Sequence, residues 1–165
     1  MSDHQEQIKK IAEMIKGINI AMMTTVEENG SLRSRPMGTQ QVEFDGDLWF
    51  FTNKSSTKVK EVESHHEVNI SYAKPESNTY LSISGKASIV NNKSKMEELW
   101  NPTLKAWFPK GLEDPDITLI KVDVNSAEYW DSPSSKMVLF AKMVKAIVTG
   151  QEYKAGKDEH AKISV

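Results

Sequence analysis

The sequence predicts a mainly β protein, an antiparallel sheet of about six strands closed into a barrel with α-helices at its periphery. Three observations carry this. Short runs rich in β-branched and aromatic residues recur between clusters of turn residues. Two turns carry Asn29-Gly30 and Asp45-Gly46, pairs that favour hairpins because type I′ turns need positive φ. The connections are short, and closure is the simplest way to remove exposed strand edges.

In chain order, residues 3–17 read as an amphipathic helix. Ile8, Ile11, Ala12, Ile15 and Ile18 recur at helical spacing, with Asp3 as a cap and Gly17 as a stop. Residues 20–26 are a first strand, turned through Glu27-Glu28-Asn29-Gly30 into a second at 31–44. Asp45-Gly46-Asp47 is expected to make a hairpin into a third strand at 48–52. Ser55 or Ser56 caps a helix running to His65. Strands follow at 68–73 and 79–90. Gly85 interrupts the longer one, which predicts a bulge or bend. Residues 94–100 form a short helix stopped before Pro102.

Residues 101–116 hold three prolines beside Trp107 and Phe108, with Trp100 just before them. Burying such rings is worth a few kcal/mol each, so the loop packs over the barrel end as a lid, walls a pocket, or does both. Residues 117–124 read as a strand buried on both faces, and 127–131 as a separate last strand. Pro133-Ser134-Ser135 opens a helix with Met137, Phe140, Ala141, Val144, Ile147 and Val148 as an apolar stripe, ended by Gly150. Residues 151–165 read as a polar tail. The expected organisation is one domain over 1–150 followed by that tail.

Composition narrows the function. The 165 residues carry 21 Lys plus Arg against 23 Asp plus Glu, so no net field points to nucleic acid or an anionic membrane. Cysteine is absent, which excludes a disulfide framework and thiol chemistry. The start lacks a signal peptide's apolar core and no apolar run approaches the ~20 residues of a membrane helix; the expected location is cytoplasmic. His65 and His66 are adjacent on a helix, point about 100° apart and share no metal. No nucleophile elbow, dinucleotide fingerprint or P-loop is present.

What remains is the stretch Arg33 to Lys58, RSRPMGTQQVEFDGDLWFFTNKSSTK. A helix N-terminus offers free amides and a partial positive charge. Ser56 and Thr57 add hydroxyls, Lys58 an ammonium, and the expected hairpin brings Arg33 or Arg35 near. Phe51 supplies an aromatic wall and Thr52 a polar group. The set suits a phosphate attached to a flat ring system. The residues alone are described at least as well by a capped helix after an ordinary hairpin, with solvated basic side chains.

RSRPMG followed by DGDLWFFTNKSSTKVKEVESHHEVNISY resembles the flavin-binding half of the pyridoxamine-phosphate-oxidase-like split barrels, and most of all the bacterial general stress protein 26 family. The later runs ISGKASIV, EELWNP, KAWFPKG, DPDITLIKV and AEYWDSPSSK fit the same family. The resemblance implies a six-stranded antiparallel split β-barrel, paired as a homodimer with FMN at the dimer interface. Carried over by motif, it puts Arg35, Ser56, Thr57 and Lys58 on the phosphate, Met37 and Gly38 along the ring edge, and Phe51 and Thr52 beside the ring and ribityl chain. Trp107 and Trp130 would come from the aromatic loops of either chain, and Tyr80 would face the same pocket.

Two departures argue against oxidation of pyridoxine phosphate. Thr57 stands where the vitamin-oxidising members have arginine, and Trp130 is followed by DSPSSK instead of an arginine-bearing segment. The resemblance leaves two functions. One is an FMN-dependent oxidoreductase on a small molecule, with electrons from a reduced nicotinamide; the other is a stress protein that stores, buffers or senses FMN. No catalytic acid or base is identifiable, since the flavin ring itself carries the electrons.

Overall fold

The computed structural model describes residues 3–40, 43–131, 136–152 and 159–165. Its helices are α1 (Asp3–Ile15), α2 (Thr57–Ser64), α3 (Lys93–Leu99) and α4 (Lys136–Thr149). Its strands are β1 (Ile20–Val26), β2 (Leu32–Gly38), β3 (Asp47–Asn53), β4 (Glu67–Lys74), β5 (Thr79–Val90), β6 (Ile117–Asp131) and β7 (His160–Ser164). Every strand pair is antiparallel. The sheet runs β2-β1-β4-β5-β6-β3, with β7 added beside β6. It curls into the half-barrel of a split-barrel fold. Pro133-Ser134-Ser135 and the side chain of Met137 lie outside the described residues.

The β1–β2 hairpin forms as its turn residues require. Gly30 takes φ 83°, Glu27 N–H donates to Ser31 O (2.8 Å), and the Asn29 side chain accepts from Ser31 N–H. The second expected hairpin does not form. Gly46 has the anticipated positive φ of 113°, and Asp45 Oδ1 accepts from Asp47 N–H (3.2 Å). Yet β2 pairs only with β1, and β3 only with β6, from Asp47 opposite Asp123 to Asn53 opposite Ile117. The turn chemistry reverses the chain without joining the two strands. β2 and β3 are the two ends of the path, and the barrel is open between them.

Two further corrections concern the C-terminal third. Residues 117–131 form one strand rather than two. β5 lines one edge of β6 from Leu119 to Asp131; β3 takes the other edge up to Asp123, and β7 takes it from Ser126 to Trp130. The strand β7 lies in the segment that reads as a polar tail.

Sheet alternation divides the core in two. Leu48 and Phe50 of β3, with Ile120 and Val122 of β6, face the concave side and pack with Met23, Ile70, Ile83 and the α1 residues Ile11 and Met14. Phe51, Ile117 and Leu119 face outward, under Met96 and Leu99 of α3 and Leu104 of the following loop. α4 presents Phe140, Met143, Val144, Ile147 and Val148 to solvent, with Ile147 and Val148 each 79% exposed.

Gly85 lies at the predicted irregularity, where the β5–β6 register shifts. A Cβ there would come within 2.3 Å of the Asp123 carbonyl oxygen and 2.9 Å of Val122 Cγ1. Gly85→Ala is therefore expected to lower stability by about 1–3 kcal/mol or more through overpacking against backbone. Urea unfolding measures it, and a loss under half a kcal/mol would show that β6 moves aside freely.

Candidate functional site

The opening between β2 and β3 is a cleft of about 260 Å3. Pro36, Met37 and Gly38 line it from β2, Phe51, Thr52 and Asn53 from β3, and Lys58 from α2. Leu104, Trp107 and Phe108 of the 101–116 loop close one side, and Ile20 of β1 completes the lining. The loop is both lid and wall. Trp100 meets Phe51 edge-on at 5.6 Å and Phe108 meets it at 6.2 Å between centroids. That packing leaves Trp107 at the rim, 63% exposed.

The start of α2 is held from below. Ser55 N–H and Oγ–H donate to the two carboxylate oxygens of Asp116 (3.0 and 2.6 Å), Lys54 N–H donates to Asp116 O, and Lys54 Nζ reaches Pro115 O. These bonds fix the β3–α2 turn against the entrance to β6. Ser56 is the N-cap residue, but its hydroxyl makes no capping bond. It stands 3.3 Å from Thr52 Oγ1, which in turn accepts from Lys58 Nζ (3.1 Å). The expected side-chain cap is thus absent; Val59 N–H donates back to Ser56 O (3.2 Å), which leaves the Thr57 and Lys58 amides of the first turn for another acceptor.

Lys58 is the one lysine with a shift in this region. Partial burial, and then the nearby Arg35 charge, push its pKa below the ordinary lysine value. Its ammonium donates to a hydroxyl, that of Thr52, and not to a carboxylate.

Arg35 lies deeper. Its Nη1 donates to Thr25 Oγ1 (2.6 Å) and its Nη2 to Glu61 Oε2 (2.7 Å), while Thr25 Oγ–H donates to the same oxygen (2.6 Å). Arg33 is half exposed, 3.7 Å from Glu27 and 4.0 Å from Glu61. Of the residues expected from sequence, Met37, Gly38, Phe51, Thr52, Lys58 and Trp107 meet in the cleft. Ser56 joins through Thr52, Thr57 is the exposed first residue of α2, and Arg35 stands behind with Glu61.

Trp130 is elsewhere within one chain. It stacks on His160 (5.3 Å between centroids), near the far end of β6, about 40 Å of strand contour from Thr118 beside Thr52. Tyr80 pairs with Trp130 in the sheet and lies with it. Sequence reasoning missed Thr25 and Glu61, since a threonine in a strand and a glutamate on a helix carry no signal before packing is known. A larger cavity of about 430 Å3, lined by Ile15, Phe44, Trp49 and Tyr72 among others, opens at the start of β3. Its rim mixes Lys9 and Lys16 with Glu13, Glu43 and Asp47, so it offers an anion no excess of positive charge.

The comparisons agree on kinship. A family model described as pyridoxamine 5'-phosphate oxidase like matches residues 6–154. The Neurospora crassa protein named bli-3 is 31% identical over 156 residues, 88% of this chain and 75% of that protein. The general stress protein 26 of Bacillus anthracis str. Sterne is 27% identical with a TM-score of 0.67, covering 75% of this chain and 93% of that one. The general stress FMN/FAD binding protein of Xanthomonas citri is 26% identical with a TM-score of 0.67, covering 79% of this chain and 92% of that one.

Lys58 should lose its proton before the ordinary lysines do as pH rises, because burial and Arg35 both disfavour its charged form. Heteronuclear NMR titration of the lysine side chains checks this. Arg35→Gln should move the Lys58 midpoint up; an unmoved midpoint would show that Arg35 does not act on it.

Proposed function

The chain belongs to the pyridoxamine 5'-phosphate oxidase-like family, in its general stress protein 26 branch, and from that premise we propose that it binds FMN in the cleft between β2 and β3. The observation that carries the reading is Lys58: a half-buried ammonium bonded to a hydroxyl, at an uncapped helix N-terminus, at the mouth of an aromatic-walled cleft. A phosphate monoester fits that end, because it accepts from both the ammonium and the free amides. The isoalloxazine fits beside Phe51, Phe108 and Trp107, with the Met37–Gly38 backbone along its edge. Ser56, Thr57 and Arg35 complete the phosphate end, and Thr52 reaches the ribityl hydroxyls.

FMN supplies electron transfer when bound, and the protein's part is to hold it and exclude water. We favour a flavin-dependent oxidoreductase of the stress response acting on a small molecule. The second reading, a protein that stores or senses FMN, is favoured by one observation: Lys58 is the one titratable residue among the described lining of the cleft. The two are separated by whether nicotinamide-reduced flavin passes electrons to an acceptor other than oxygen.

The proposal extends to a homodimer. One chain offers about 260 Å3, below the roughly 300–1,000 Å3 of a closed ligand site. The same chain exposes Ile20, Met22 and Leu32 on β1–β2 and the apolar stripe of α4. A second copy covering the cleft would bury both ring and apolar surface, and would let Trp130 of one chain approach the cleft of the other.

Fluorescence quenching titrations with FMN and riboflavin test the site. Wild type should prefer FMN. Lys58→Ala should lower FMN affinity by about 1.5–3 kcal/mol and leave riboflavin nearly unchanged. Arg35→Lys should lose much of the preference, since lysine cannot copy a planar guanidinium, while Arg33→Lys should be nearly silent. Equal losses for both flavins would remove the phosphate assignment. Sedimentation should show a dimer at micromolar concentration whose interface buries about 2,000 Å2 or more; a monomer that still binds FMN would overturn the shared site.

A further inference from the structure

Glu61 is a carboxylate on the buried face of α2, between Val59 and Val62. It stands one turn after Lys58, beside a site that calls for positive charge. By charge alone it should weaken an anion there. Its bonds point the other way. Glu61, Thr25 and Arg35 form a closed ring of three hydrogen bonds of 2.6–2.7 Å, drawn from α2, β1 and β2. Thr25 is 1% and Glu61 9% exposed, and the Arg35 side chain 12%. A guanidinium has five N–H donors in a fixed plane. The ring uses one on each terminal nitrogen, which fixes the plane and leaves the Nε–H without an acceptor among the described residues.

We propose that Glu61, acting with Thr25, is a positioning residue for the phosphate end of the cleft. It holds Arg35 in one orientation and within reach of Lys58. The inference rests on the FMN reading. A free arginine must give up its rotamer freedom when it meets an anion; Arg35 has already done so. The carboxylate has a second effect. Arg35 and Lys58 are like charges that repel, and Glu61 attracts both. Without it Arg35 swings away from Lys58, and the two cations no longer converge. Arg33, half exposed and 4.0 Å from the other carboxylate oxygen, does not replace that clamp. Thr25 is the pivot: its single hydroxyl accepts from Arg35 and donates to Glu61, a double role that valine of the same shape cannot take.

The two readings of Glu61 differ in sign, which makes the test decisive. FMN and riboflavin are titrated against full-length wild type, Glu61→Ala, Glu61→Gln and Thr25→Val. Glu61→Ala should weaken FMN about tenfold or more while riboflavin stays within about twofold, the scale on which outer-layer partners act. Glu61→Gln keeps an acceptor oxygen and should recover most of that loss. Thr25→Val should show a smaller loss with the same selectivity. If Glu61→Ala binds FMN as tightly as wild type or more tightly, Glu61 is only a repelling charge and the proposal is wrong. It is equally wrong if both flavins weaken together or if glutamine recovers nothing. Should Glu61→Ala fail to fold, the FMN-to-riboflavin ratio of Thr25→Val decides alone. A wild type that binds neither flavin overturns the FMN reading and this inference with it; a wild type that prefers FMN beside variants that keep the preference overturns this inference alone.

Discussion

β2 and β3 do not pair, and the rest of the molecule follows from that gap. A six-strand path that curls without closing leaves two strand edges facing each other, and edges present unpaired backbone groups. Pro36 suits β2 to such an edge, because proline brings no N–H to leave unsatisfied. The gap becomes a cleft because the 101–116 loop folds over its end, anchored by Leu104 and by Trp100 and Phe108 against Phe51. α2 starts where β3 stops, so its amides arrive at the cleft as a consequence of topology, pinned by Asp116.

Charge is arranged in two depths around this opening. The inner layer, Arg35 with Glu61 and Thr25, is largely buried and joined in a closed ring of hydrogen bonds. Such pairs gain little net stability, since desolvation opposes their attraction, but they hold direction well. The outer layer is Lys58, half-buried and bonded to Thr52. Burial and Arg35 make its charge less comfortable than that of a surface lysine. An anion bound there would relieve that cost.

The apolar surface follows a separate logic. β3 and β6 are buried on both faces, so the sheet is covered where it carries the cleft. Elsewhere Leu32, Ile147 and Val148 stand more than two-thirds exposed. No helix among the described residues is long and apolar enough to cross a membrane, and the α4 stripe has the spacing of a packing face, at i, i+3, i+4, i+7 and i+8. A second chain covering this surface, as proposed, would also deepen a cleft that one chain leaves shallow.

The sequence by itself determined what local chemistry controls. The helices and most strands lie where periodicity puts them. The Asn29-Gly30 hairpin and the Gly85 irregularity occur as residue type requires, since positive φ and the lack of a Cβ are local properties. The ordered motifs from Arg33 to Lys58 also brought Met37, Gly38, Phe51, Thr52 and Lys58 to one cleft. Pairing was decided only by the tertiary structure. Asp45-Gly46 makes its turn, yet β3 goes to β6, because which edge a strand meets depends on every other strand in the sheet. β7 adds to β6 through backbone donors and acceptors, which every polar segment has and no composition reveals. Glu61 looks like any solvated helix glutamate until Val59 and Val62 turn that face inward and two arginines two residues apart on β2 meet it. Trp130 shows the same limit in reverse: its motif is local, but its distance from the cleft is set by the length of one strand.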